Sequence, residues 1–177
     1  MNDLSPTPQP EASLKDKILS LASRLSRSDH EGGLSTGEVA ELRRWRLGGD
    51  IHPAAWRLLA QLSDGEQGMR REMEDRWLAV LAGMAHMAPQ PHRSGFDAAP
   101  GRVLAAAGYS ENRFHKLLNS RNEAFFDAVE GACRFLRAKG EAVDWTRFAP
   151  FILTLDPDKA ETQRRTLARD YFSHQQP

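Results

Sequence analysis

The sequence predicts an all-α protein, a two-part helical bundle of about eight helices with no sheet. Three observations carry that prediction. Leucine and alanine are frequent while valine and isoleucine are scarce, in a chain that is 40% hydrophobic; straight-chain residues and alanine lose little rotamer freedom in a helix. Apolar residues recur three and four positions apart, the spacing of one helical face. There is no sustained apolar alternation and no Asn-Gly hairpin signal. With 177 residues, the chain is long enough to bury a real core.

The first helix is expected over Ser13 to Arg27, where Leu14, Ile18, Leu21 and Leu25 make one stripe. Ser35 and Glu38 have capping-box spacing, which starts a second helix that runs to Arg46 with Val39, Leu42 and Trp45 inward. His52-Pro53 opens a third, proline being tolerated in the first helical turn, with Trp56, Leu59 and Leu62 buried. Ser63-Asp64-Gly65 is a turn. Glu66 to Met87 is a long helix whose Met69, Met73, Trp77, Val80, Leu81 and Met84 read as core. Two prolines in Ala88-Pro89-Gln90-Pro91 stop it, since each lacks an N–H and restricts its predecessor. A boundary is placed there: a lead-in at 1–12, a helical part at 13–88, a linker at 89–99 and a second helical part at 100–174. A single continuous bundle is the alternative.

In the second part, Pro100 to Ala107 is a short helix capped by Gly108. Ser110 begins another, with Phe114, Leu117 and Leu118 inward. Asn119 to Asn122 is a tight connection. Phe125, Phe126, Val129, Cys133 and Leu136 form the spine of a helix ending at Lys139-Gly140. Asp144 caps the next, with Trp145, Phe148, Ile152 and Leu155 buried and a kink or break at Pro150. Asp156-Pro157 starts the last, which reaches about Phe172 with Leu167 and Phe172 inward.

Several chemistries find no support. Cys133 is the one cysteine, so an internal disulfide and a zinc site of several thiolates are excluded. None of the six histidines has metal-ligand spacing, although His86 and His92 flank the proline loop. There is no GxSxG context and no glycine-rich phosphate loop. Neither an enzyme nor a cofactor is expected. The N-terminus lacks the basic and apolar regions of a signal peptide, and no apolar run nears the roughly 18 residues of a membrane span, so a cytoplasmic protein away from membranes is expected.

Charge leaves one signal. Lys plus Arg equals Asp plus Glu at 24 each, so the total gives no pull toward nucleic acid and only its arrangement could. Arg43, Arg44 and Arg46 cluster near one helix end. Arg102, Arg113, Lys116, Arg121, Arg134, Arg137 and Lys139 outweigh Glu111, Glu123, Asp127 and Glu130 further on. Two readings stand open: solvated cations matched to helix C-termini, or contacts to phosphate. RVLAAAGYSENRFHKLL also has the outline of a helix-turn-helix.

Three blocks resemble a known family. GYSENRFHKLL with Arg121 soon after, FLRAKGEAVDW, and the closing Arg-Asp-Tyr-Phe at 169–172 occur in the order found in CasB, the small-subunit family of the type I-E CRISPR surveillance complex Cascade. GEVAELRRWRLGGDIHPAAWRLLAQL fits more loosely, and the resemblance spans about residues 14 to 173. It implies an all-helical, non-catalytic subunit without a cofactor, packed beside other Cascade subunits and a second copy of itself. It implies contact with crRNA and target DNA, and stabilisation of the R-loop in antiviral defence without sequence reading. The binding role carries onto Arg43, Arg44, Arg113, Lys116, Arg121, Arg134, Arg137 and Lys139. A helix-turn-helix regulator and a purely structural scaffold subunit are the alternatives.

Overall fold

The computed structural model describes residues 12–27, 32–63 and 68–174. The expected lead-in before Ala12 and the Asp64-Gly65 turn lie outside the described residues; the long helix expected from Glu66 starts at Arg71, Gly68 to Arg70 being non-helical. Nine α-helices and no strand occur among the described residues. They are α1 (Leu14–Ser26), α2 (Thr36–Arg44), α3 (Pro53–Leu62), α4 (Arg71–Met87), α5 (Pro100–Ala106), α6 (Glu111–Asn119), α7 (Asn122–Lys139), α8 (Trp145–Leu153) and α9 (Pro157–His174). The all-α expectation holds.

Local chemistry sets the helix starts. At α2 the Glu38 N–H donates to Ser35 Oγ at 3.2 Å and the Ser35 N–H to Glu38 Oε2 at 2.9 Å, a complete capping box. The Asp144 carboxylate accepts the Thr146 N–H at 3.0 Å, and Asp156 accepts the Lys159 N–H at 2.9 Å. The helix α8 is continuous through Pro150, and the expected break falls a turn later. There the Thr154 N–H and hydroxyl both donate to the Pro150 carbonyl, at 3.1 and 2.6 Å.

The centre is α4, which touches α1, α2, α3, α7 and α8. Every residue from Trp77 to Met87 is buried, and one hydrophobic cluster runs from Ile18 in α1 to Tyr171 in α9. Met84 is wholly buried, and Met69 and Met73 pack on the cluster, so the methionine stripe is core. Two glycines permit close helix approach. A Cβ at Gly83 would lie 2.7 Å from the Trp145 ring and 2.9 Å from Cys133 Sγ. One at Gly101 would lie 2.3 Å from the Leu167 carbonyl, which holds α5 against α9.

Four expected core residues face outward, the first being Leu14 at the start of α1, which is 40% exposed. Trp56 is 48% exposed because the buried face of α3 is Ala54, Ala55, Leu58, Leu59 and Leu62, which rotates Trp56 away. Phe172 is 47% exposed. Leu167 and Tyr171, one turn apart, take the inner line of α9, and Tyr171 stacks on Phe114 at 3.8 Å while its hydroxyl donates to the Tyr109 carbonyl. Leu155 is 37% exposed because α8 has already ended.

Candidate nucleic-acid interface

The cations expected to bind fall into two regions. The first is the junction where the ends of α2 and α4 meet α7. Arg43 Nε donates to the Ala85 carbonyl at 2.6 Å, and Arg137 Nη1 to the His86 carbonyl at 3.2 Å. Both carbonyls belong to the last turn of α4, which carries partial negative charge; the Ala85 carbonyl also accepts the Ala88 N–H, at 3.4 Å. Two guanidiniums from neighbouring helices therefore cap one helix end. Burial, and then Arg137, pull the Arg43 guanidinium below its ordinary pKa. Arg76 does the same for α8, donating to the Ile152 carbonyl at 2.6 Å.

Arg46, just beyond α2, lies 2.8 Å from Glu130 of α7. His86 and Arg134 lie 3.4 and 3.8 Å from the same carboxylate oxygen. The His86 pKa falls from 6.5 to about 4, through burial and then the charges of Arg134, Arg43, Arg46 and Arg137. His86 is therefore neutral near pH 7. Arg44 points away from this cluster and pairs with Glu41 on its own helix, its side chain 72% exposed.

The second region is the groove between α6 and α7, about 830 Å³, lined by Arg113, Lys116 and Arg134. Ala124, Asp127, Ala128 and Gly131 also line it, so the three cations share a shallow surface with one carboxylate. Arg113 and Lys116 are exposed, and no carboxylate is within ion-pair distance of either among the described residues. The amphipathic pattern of α6 explains their placement, because Phe114 and Leu117 turn into the core and leave their neighbours outside. Arg121 follows α6 and donates to the Ser120 carbonyl at 2.9 Å, at the rim of a separate cleft of about 630 Å³. Lys139 lies over the Phe135 ring, 5.7 Å from its centre.

The histidines beside the proline loop do not meet at a metal site. His86 faces Glu130, while His92 Nδ1 accepts the Trp145 N–H at 3.2 Å and ties the loop to α8. No group of three metal-ligating side chains occurs among the described residues. No helix is long and apolar enough to cross a membrane, again among the described residues.

Comparison with protein families matches residues 38–172 to CRISPR-associated protein Cse2. The chain belongs to the Cse2 family. That membership supports a place as a subunit of the CRISPR Cascade complex, in line with the CasB resemblance. A search of curated proteins finds no match, and a search of solved structures finds none. Within the Cse2-family chain, the structure brings Arg43, Arg134 and Arg137 together around His86, adds Arg46 and Glu130, and sets Arg113 and Lys116 beside Arg134. Arg44, Arg121 and Lys139 stand apart. Arg46, like Arg102, is not among the residues onto which the resemblance carries the binding role, although it sits in the same Leu-Arg-Arg-Trp-Arg run that supplies Arg43 and Arg44.

Proposed function

We propose that this Cse2-family subunit holds nucleic-acid backbone without reading sequence, and thereby stabilises the R-loop formed by guide RNA and target DNA. Arg113, Lys116 and Arg134 form the centre of the track, with Arg44, Arg121, Arg137 and Lys139 as outlying contacts. The observation that carries this reading is the α6–α7 groove, where three cations from two helices line one shallow surface. Three cations against one carboxylate, Asp127, leave a net positive groove that suits phosphates, which fix position and carry no sequence information. In a guided complex sequence is read by base pairing, so the protein needs only backbone contacts. A net charge of zero fits a subunit whose affinity is raised by its neighbours through effective concentration. A second copy and the other Cascade subunits are the expected partners, and no catalytic step is assigned to the chain.

A scaffold reading has support at the junction, where Arg43 and Arg137 serve the end of α4. The helix-turn-helix reading needs α6 to present its side chains to base edges, whereas Arg113 and Lys116 line the groove shared with α7. Gel shifts with single- and double-stranded DNA across a salt series test the proposal. Each phosphate contact to a single strand should add about 0.7 to the log–log salt slope. Strong preference for one duplex sequence would contradict it.

A further inference from the structure

Glu130 is the carboxylate at the centre of the arginine junction. Its side chain is 17% exposed, and one oxygen lies 2.8 Å from Arg46 Nη2 and 3.8 Å from Arg134 Nη1. The two arginine side chains are far more open, at 52% and 66%. Phosphate can therefore reach both guanidiniums from solvent while the carboxylate stays behind them. Arg46 is held from its other end, Nη1 donating to the Trp45 carbonyl at 2.8 Å and the Arg43 carbonyl at 3.3 Å. Its Nη2 end is what Glu130 occupies.

The pairing is close but poorly aligned. Glu130 Oε1 is buried and makes no well-formed hydrogen bond, and neither does the facing His86 Nε2. A carboxylate and a phosphate offer arginine the same oxygen acceptors. The Glu130 side chain is mostly buried, so giving up its arginines carries a cost that the new phosphate contacts must exceed. A negative charge at this spot also weakens the local field that would attract a phosphate.

We infer that Glu130 is an internal competitor for phosphate: it holds Arg46 and Arg134 in place in the unloaded subunit and yields them to a nucleic-acid backbone. The inference rests on the backbone-binding reading above and adds Arg46 to the track. It joins the end of α2 to the α6–α7 groove through the shared Arg134. The unloaded subunit then has its arginines in place and its attraction for stray nucleic acid reduced.

The test is binding of a fluorescent oligothymidine by the full-length chain across a salt series, for the unaltered protein, Glu130→Gln, Arg46→Ala, Arg134→Ala and Glu123→Gln. Glu123 is an exposed carboxylate on the same helix, so its variant makes the same change in net charge away from the junction. Glu130→Gln should tighten binding roughly three- to tenfold, with a smaller effect from Glu123→Gln. Should Arg46→Ala and Arg134→Ala weaken binding while Glu130→Gln leaves it unchanged or weaker, the competitor role falls and the backbone reading stands. If neither the unaltered chain nor Glu130→Gln binds at low salt, both fall. A second measurement on the unaltered chain guards against misfolding of the variant. The Nε resonances of Arg46 and Arg134 should shift on saturation with the oligomer, and resonances that stay put overturn the inference.

Discussion

At the junction of α2, α4 and α7, Arg43 and Arg137 donate to the last carbonyls of α4, and Arg46 meets Glu130. In the groove between α6 and α7, Arg113 and Lys116 are exposed and line an open surface with Arg134. The same residue type thus serves the fold in one place and is left for a ligand in the other. A count of cations along the sequence cannot separate the two, because the difference lies in what each guanidinium touches. Removing Arg43 or Arg137 should cost stability; removing Arg113 or Lys116 should cost binding alone.

Acid should separate the two regions most strongly. His86 titrates near 4 when folded and near 6.5 when unfolded, so the unfolded chain binds the proton first. The neutral junction should therefore contribute its full stability above about pH 6.5 and lose it as pH falls toward 4, by at most about 3 kcal/mol. Urea midpoints across that range should show the loss, His86→Gln should flatten it, and Arg113→Ala with Lys116→Ala should leave it intact. A flat profile in the unaltered protein would show that the junction does not hold His86 neutral.

Arg43→Ala comes next. It removes a charged donor from the Ala85 carbonyl and should cost about 1.5–3 kcal/mol in chemical denaturation. Arg113→Ala should stay within about 0.5 kcal/mol of the unaltered chain. Equal losses at the two sites would erase the distinction. The smallest expected effect is at Gly131, which is exposed within α7 and where a Cβ would meet nothing within 4 Å. Glycine inside a helix is less favourable than alanine, so Gly131→Ala should stabilise by up to about 1 kcal/mol. It should also weaken binding if a backbone approaches the groove floor closely. Stabilisation without any change in affinity would place the bound strand above the cations, clear of the floor.

Helix starts were legible in the sequence because their chemistry is local. Ser35 with Glu38, Asp144, and Asp156 before Pro157 each act within three residues of themselves. Rotational phase was harder where helices are short or polar. In α9, Tyr171 stands four residues from Leu167 and shares its face, whereas Phe172 stands five away and does not; Tyr171 stacks on Phe114 accordingly. Trp56, by contrast, fits an apolar spacing in α3 that the neighbouring alanines and leucines overrule. At the candidate interface the clustering of cations was legible, but the partners of each were not. Arg43 finds its acceptor 42 residues away and Arg137 finds its own 51 away, both on backbone carbonyls that leave no mark in side-chain patterns. Glu130 reads in sequence as one acid subtracting from a basic stretch, while its nearest cation, Arg46, comes from the other part of the chain.

R-loop lifetime in a reconstituted Cascade complex tests the central claim most directly. The comparison is between the unaltered subunit and the triple variant Arg113→Ala, Lys116→Ala, Arg134→Ala, with assembly and melting temperature measured alongside. Loss of three phosphate contacts should shorten the lifetime at least about tenfold at physiological salt, while the subunit stays folded and incorporated. An unchanged lifetime in a fully assembled complex would contradict the groove as the site where nucleic acid is held.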